Sequence, residues 1–196
     1  SGSVSRHLAD TAMANLHSGL PGAEIVLRDL KAGVGHVNSA WREASLEAAG
    51  SRSSEDRAIL AQSDALRAEV ERANIIVFAV PIYNFSIPAA LKAWVDMVCR
   101  NNVDGATALS IPKPTYRKQA VVLLTSNHTL AGASDEFATK FLRQVSTSTL
   151  PYLDTIGKDA QKPASDNLSD QVYRPSNWVQ LLNIFRLKSE SHSKIL

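Results

Sequence analysis

Residues 74–88 constrain this chain more than any other stretch. Asn74-Ile75-Ile76-Val77-Phe78-Ala79-Val80-Pro81-Ile82-Tyr83-Asn84-Phe85-Ser86-Ile87-Pro88 passes from a continuous apolar run through a proline into a polar-aromatic loop. A second proline then opens an amphipathic stretch at 89–100. Six apolar residues without alternation, 75–80, suit a strand buried on both faces of a helix-covered parallel sheet. Pro81 has no N–H for the ladder and predicts the strand's end, whereas Pro88 suits the first turn of a helix. This order puts Ile82, Tyr83, Asn84 and Phe85 at the carboxyl end of a strand, where open α/β sheets bind ligands.

The rest of the chain supplies alternating partners for that strand. Val4, Leu8, Ala12 and Leu16 make one helical stripe, which Ser3 or Ser5 can cap. The same serines beside first-turn N–H groups also make a candidate anion site. Gly19-Leu20-Pro21-Gly22 predicts a turn, and residues 23–30 alternate as a strand near the sheet edge. Residues 33–50 read as loop-rich, with weak helical character over 41–49. Ser53 or Ser54 caps a helix predicted from Glu55 to about Ala73, with Glu55 and Asp56 in its first turn. The helix over 88–100 carries Leu91, Trp94, Val95 and Val98 as its stripe and Lys92–Asp96 as a surface pair. Residues 119–125 predict a second buried strand, 126–129 its carboxyl-end loop, and Ser134-Asp135-Glu136 the start of a helix with Phe137, Phe141 and Leu142 on one face. Residues 146–170 read as polar, 178–187 as a helix, and 189–196 as a frayed tail. Alternating strands and helices over 24–142 argue for a doubly wound α/β sheet, and 196 residues suit a single domain.

Composition narrows the function classes. A formal net charge of +2 does not suggest a nucleic-acid surface, and no apolar run approaches a membrane span. One cysteine excludes an intrachain disulfide and favours a reducing compartment, so a soluble cytoplasmic protein is expected. Cys99, on the apolar side of a predicted helix, suits a small buried hydrophobe. Five histidines show no paired metal-ligand spacing, and the Gly-x-Ser-x-Gly nucleophile elbow is absent. The 82–85 loop is better suited to a flat aromatic ligand, with backbone N–H groups for the ring's polar edge and Tyr83 and Phe85 for its apolar area. Those aromatics could equally cap the core.

The run Pro81-Ile82-Tyr83-Asn84-Phe85-Ser86-Ile87-Pro88-Ala89-Ala90-Leu91-Lys92-Ala93-Trp94-Val95-Asp96 resembles the flavin loop of the FMN-dependent NADH azoreductase and NADH:quinone oxidoreductase family, whose fold is flavodoxin-like. Ser3-Val4-Ser5-Arg6-His7-Leu8 is similar to that family's phosphate loop, residues 25–30 to its second strand, and Ala61-Gln62-Ser63-Asp64 to its next helix. The resemblance covers about residues 1–145.

It implies a three-layer α/β/α fold with sheet order 2-1-3-4-5. It also implies FMN phosphate on Ser3, Val4 and Ser5, and the isoalloxazine ring on Ile82, Tyr83, Asn84 and Phe85. Ser126, Asn127 and His128 would lie along the other flavin edge, in a loop where the family usually reads Ser-Arg-Gly-Gly. NADH would be the electron donor, a quinone or azo compound the acceptor, and a homodimer the assembly, with Trp94 and Phe85 as contact candidates. No obligatory catalytic acid or base is implied, and His128 is a candidate proton donor. The family's first strand would precede Ser1, and residues 101–111 lack the family's aromatics. The competing expectation is therefore a truncated or degenerate flavodoxin-like module without catalysis.

Overall fold

The computed structural model describes residues 3–100, 118–126, 133–145, 153–161 and 194–195. Its elements are α1 (Val4–Gly19), β1 (Glu24–Ile25), a 3-10 turn (Leu30–Ala32), α2 (Ser39–Leu46), α3 (Ser54–Arg72), β2 (Ile75–Pro81), α4 (Ala89–Val98), β3 (Lys118–Ser126), α5 (Ala138–Gln144), β4 (Leu153–Gln161) and β5 (Lys194–Ile195). The sheet order is β1-β5-β2-β3-β4, with every pairing parallel.

The apolar run becomes a strand because both of its faces are covered. Ile76, Phe78 and Val80 point into a core shared with α2, α3, α4 and α5, including Leu60, Val70, Leu91, Trp94 and Leu142. Ile75 and Val77 point the other way, toward Leu8, Ala12 and Leu16 of α1 together with Val121 and Leu123 of β3. Alternate side chains of a strand project to opposite faces, so an unbroken apolar sequence serves two cores at once. This is the expected three-layer α/β/α arrangement. Trp94 belongs to the larger core, 4% exposed and edge-on to Phe78 with ring centroids 5.8 Å apart. That burial removes it as a dimer-contact candidate.

Local signals largely set the helices. Ser53 and Asp56 form a reciprocal capping box at the start of α3, each side chain accepting from the other residue's backbone N–H. Ser53→Ala is expected to cost about 1 kcal/mol in urea unfolding. The hydroxyl and then the amide of Ser53 hold the Asp56 carboxyl below its ordinary value of 3.8. The carboxylate's half of the box is therefore complete above the ordinary aspartate range and fades as pH falls through the lower folded value, whereas the Ser53 hydroxyl's bond to the Asp56 N–H does not depend on that charge. Lys92 and Asp96 form the expected i, i+4 pair, with Nζ–O distances of 2.5 and 2.7 Å.

Four expectations need correction. The edge strand read over 23–30 shortens to β1, which among the described residues pairs only with the two residues of β5, and at Asp29, which accepts from the Lys31 amide, the chain turns into the 3-10 element. The helix read from Ser134 begins at Ala138, and Phe137, at its N-cap, is 53% exposed rather than on the apolar face. Within the region read as polar, residues 153–161 pair with β3 along its whole length. In the tail read as frayed, Ile195 pairs with Ile25 on one side and Ile75 on the other. The place that order 2-1-3-4-5 gives to its first strand is thus held by Lys194–Ile195. The helix expected over 178–187 lies outside the described residues. Among the described residues no helix is long and apolar enough to cross a membrane.

Candidate functional site at the carboxyl edge of the sheet

The proline that ends β2 also shapes the loop beyond it. Ile82 N–H reaches across to Thr125 O at 2.8 Å, so the ladder between β2 and β3 continues one residue past Pro81. The chain then reverses within four residues. Tyr83 N–H donates to Ser86 O at 2.9 Å and Ser86 N–H returns to Tyr83 O at 3.0 Å. Asn84 and Phe85, at the centre, have φ of 48° and 68°. Two positive-φ central residues inside a closed two-residue hairpin correspond to a type I′ turn, which ordinarily prefers Asn-Gly. Asn tolerates the left-handed region. Phe does not, and its presence there costs on the order of 1–2 kcal/mol.

This geometry presents aromatic surface to solvent. Tyr83 is 60% and Phe85 52% exposed, while Ile82 is half-buried and packs against the main core. The two aromatics therefore do not cap the core, and of this loop's large side chains Ile82 does. The strained turn is braced from outside, since Phe137 N–H donates to Phe85 O at 2.8 Å. Phe137 was missed by sequence reasoning because the polar run 134–136 looks like a helix start. Glu136, fully buried, instead caps α5 by accepting from Thr139 N–H at 2.8 Å.

The start of α1 is brought to the same edge of the sheet. Arg6, in its first turn, donates both guanidinium nitrogens to Asp29 Oδ2 at 3.3 Å, just beyond the carboxyl end of β1. Ser3 is the N-cap residue, but its side chain makes no capping hydrogen bond; its hydroxyl lies 2.9 Å from that of Ser5. The expected serine cap is therefore not formed. Two hydroxyls and the first-turn N–H groups of a 16-residue helix stand together at its positive end. Val4 is the first residue of that turn. Ser126 ends β3 beside Thr125, half-buried, inside the strand rather than in the following loop. Asn127 and His128 lie outside the described residues.

Neighbouring polar residues act as braces. Gln62 accepts from Gly35 N–H at 3.1 Å, Ser63 donates to Met97 O at 2.7 Å, and Asp64 pairs with Arg100. These contacts tie α3 to the loop after β1 and to the end of α4. Burial, followed by the nearby Asp96 charge, pushes the Cys99 thiol up to about 12, so it stays a thiol at neutral pH and offers no nucleophile.

Three features now stand at one sheet edge: an uncapped helix start with two hydroxyls, a rigid aromatic turn, and the end of a central strand. A family characterised by a flavodoxin-like fold matches residues 1–156. The chain is 39% identical over 145 residues to an FMN-dependent NADH:quinone oxidoreductase of Jannaschia sp. (strain CCS1), covering 74% of this chain and 73% of that one. It is 38% identical over 144 residues to a protein of the same description from Hahella chejuensis, covering 73% and 71%. In three dimensions it is similar to an FMN-dependent NADH-azoreductase of Bacillus anthracis solved in complex with FMN. That match has a TM-score of 0.67 at 16% identity and covers 93% of this chain and 88% of that one. The chain belongs to the flavodoxin-like-fold family of FMN-dependent NADH:quinone oxidoreductases.

Proposed function

We propose that the chain is an FMN-dependent oxidoreductase that passes electrons from NADH to a quinone or azo compound. The observation that carries this reading is the turn at Asn84–Phe85, rigid and aromatic at the carboxyl edge of a parallel sheet. The donor set fits the cofactor in kind. Ser3, Val4 and Ser5 offer hydroxyls and helix-terminal N–H groups to a phosphate. Tyr83 and Phe85 offer exposed ring faces, and Asn84 an exposed amide, to a flat heteroaromatic ring. Ile82 and Ser126 would border the same ring from β2 and β3, with Asn127 and His128 following Ser126.

When bound, FMN supplies the redox chemistry, taking two electrons from NADH and delivering them to the acceptor. The protein's own part is to bind, orient and shield. The helix start holds the anionic end, the turn fixes the ring end, and the apolar area of Tyr83 and Phe85 excludes water from stacked partners. A homodimer, one domain spanning residues 1–196, and a cytoplasmic setting belong to the same proposal, with Phe85 the remaining contact candidate. The rival reading, a module without catalysis, rests on the missing first strand, the altered loop after Ser126 and the divergent C-terminal region; of these, the strand position is taken by Lys194–Ile195.

The test is direct. Incubated with FMN and desalted, the folded chain should stay yellow and oxidise NADH faster when a benzoquinone is added. Asn84→Ala should weaken FMN retention about tenfold, the scale of one or two lost hydrogen bonds. A folded chain that stays colourless would overturn the proposal.

A further inference from the structure

We propose that Phe137 is a positioning residue whose backbone N–H clamps the strained turn and so couples the start of α5 to the aromatic loop. What the loop faces rests on the flavin reading above; the clamp itself rests on geometry. The turn's own two hydrogen bonds join Tyr83 and Ser86 and leave the Phe85 carbonyl outside the closed ring. Phe85 is the residue least suited to its conformation, with φ at 68° on a side chain bearing a Cβ and a ring. Its carbonyl receives Phe137 N–H at 2.8 Å.

Phe137 can give that hydrogen because it is the N-cap residue of α5, ahead of the helix, with no intrahelical partner for its amide. The segment carrying it is firmly mounted. Glu136 is buried and caps the helix, and Ala138 and Leu142 are buried in the main core. The Phe137 ring, by contrast, is half exposed beneath Lys140, whose Nζ lies 5.6 Å from its centroid. The contact that matters to the loop is therefore the amide, not the ring. A shift at the start of α5 would release Phe85 toward an ordinary φ and swing its ring away from the site.

The experiment uses the full chain and separates amide from ring. Phe137→Ala keeps the N–H, Phe137→Pro removes it, and Phe85→Gly removes the strain that makes a clamp necessary. FMN affinity is read by quenching of flavin fluorescence, and KM and kcat are read with NADH and a benzoquinone. Phe137→Ala should change FMN affinity by less than about twofold, and Phe137→Pro should weaken it about tenfold, as loss of one hydrogen bond would. In the Phe85→Gly background the proline should add less than about twofold, because an unstrained turn leaves little for the clamp to hold. Equal losses from the alanine and proline variants, or a proline effect undiminished in the glycine background, would overturn the proposal.

Hydrogen exchange at the Phe137 amide in the FMN-free chain tests the clamp without the proline variant and without flavin. Exchange at the free-amide rate overturns the clamp even where FMN binds. A protected amide in a chain that binds no FMN supports the clamp and overturns the flavin reading instead.

Discussion

Deleting Lys194, Ile195 and Leu196 is expected to lower unfolding stability by about 2–3 kcal/mol and to loosen the β1 side of the sheet. Ile195 is the shared partner of Ile25 and Ile75, and β5 is the element through which β1 joins the sheet. Its loss would leave Ile25 and Ile75 without the ladder partner that lies between them. A few lost backbone hydrogen bonds at about 0.5–1.5 kcal/mol each give the stated cost. Ile195→Pro in the otherwise intact chain should reproduce much of it, since a strand with neighbours on both sides tolerates no proline. Urea unfolding is the measurement. An unchanged midpoint in both variants would mean that this pairing contributes nothing to stability.

The second large effect is expected from Arg67→Met, at about 3 kcal/mol. Arg67 is 7% exposed and donates Nη1 to Val98 O at 3.3 Å and Arg100 O at 3.1 Å, beyond the last intrahelical bonds of α4. Helix-terminal carbonyls carry partial negative charge and need donors when buried. Methionine fills similar volume and donates nothing, so each carbonyl loses a charged partner worth about 1.5–3 kcal/mol. Part of that is returned, because burial and then the neighbouring Arg100 charge hold the Arg67 guanidinium below its usual basicity. Arg67→Lys should rescue poorly, since the lysine side chain is one bond shorter and its strongly hydrated ammonium is costlier to bury than a guanidinium. The guanidinium stays charged throughout the working range, so the loss should be constant from about pH 5 to 9. A loss that varied with pH over that range would assign the effect to another group.

Legibility of the fold followed the strength of the local signal. The 75–80 run, the capping serine of α3 and the Leu91–Trp94–Val95–Val98 stripe were readable because each is decided within a few residues. The start of α5 was misread for a related reason. Ser134-Asp135-Glu136 has the composition of a first helical turn, yet Glu136 is withdrawn into the interior as the cap of a later start. At the candidate site, the motif pointed to Tyr83, Asn84 and Phe85, which form the exposed turn, but carried no trace of Phe137, whose contact with that turn is a backbone amide that any residue except proline possesses. Serine hydroxyls at the start of α1 were read as a possible cap, and the structure leaves them bonded to each other instead.

The sequence by itself determined that residues 75–80 form a strand buried on both faces and that a loop follows Pro81 at its carboxyl end. Hydrophobic continuity and proline's missing N–H act locally and need no partner to be recognised. Only the tertiary structure decided what occupies the sheet's centre. Lys194-Ile195 are too short and too ordinary to announce a strand; their pairing with Ile25 and Ile75 arises because two strands brought side by side leave backbone groups that require a third. The left-handed turn is likewise a product of context. Nothing in Asn84-Phe85 demands positive φ, and the residues that hold it there, Ser86 nearby and Phe137 far along the chain, act through main-chain hydrogen bonds that side-chain pattern does not encode.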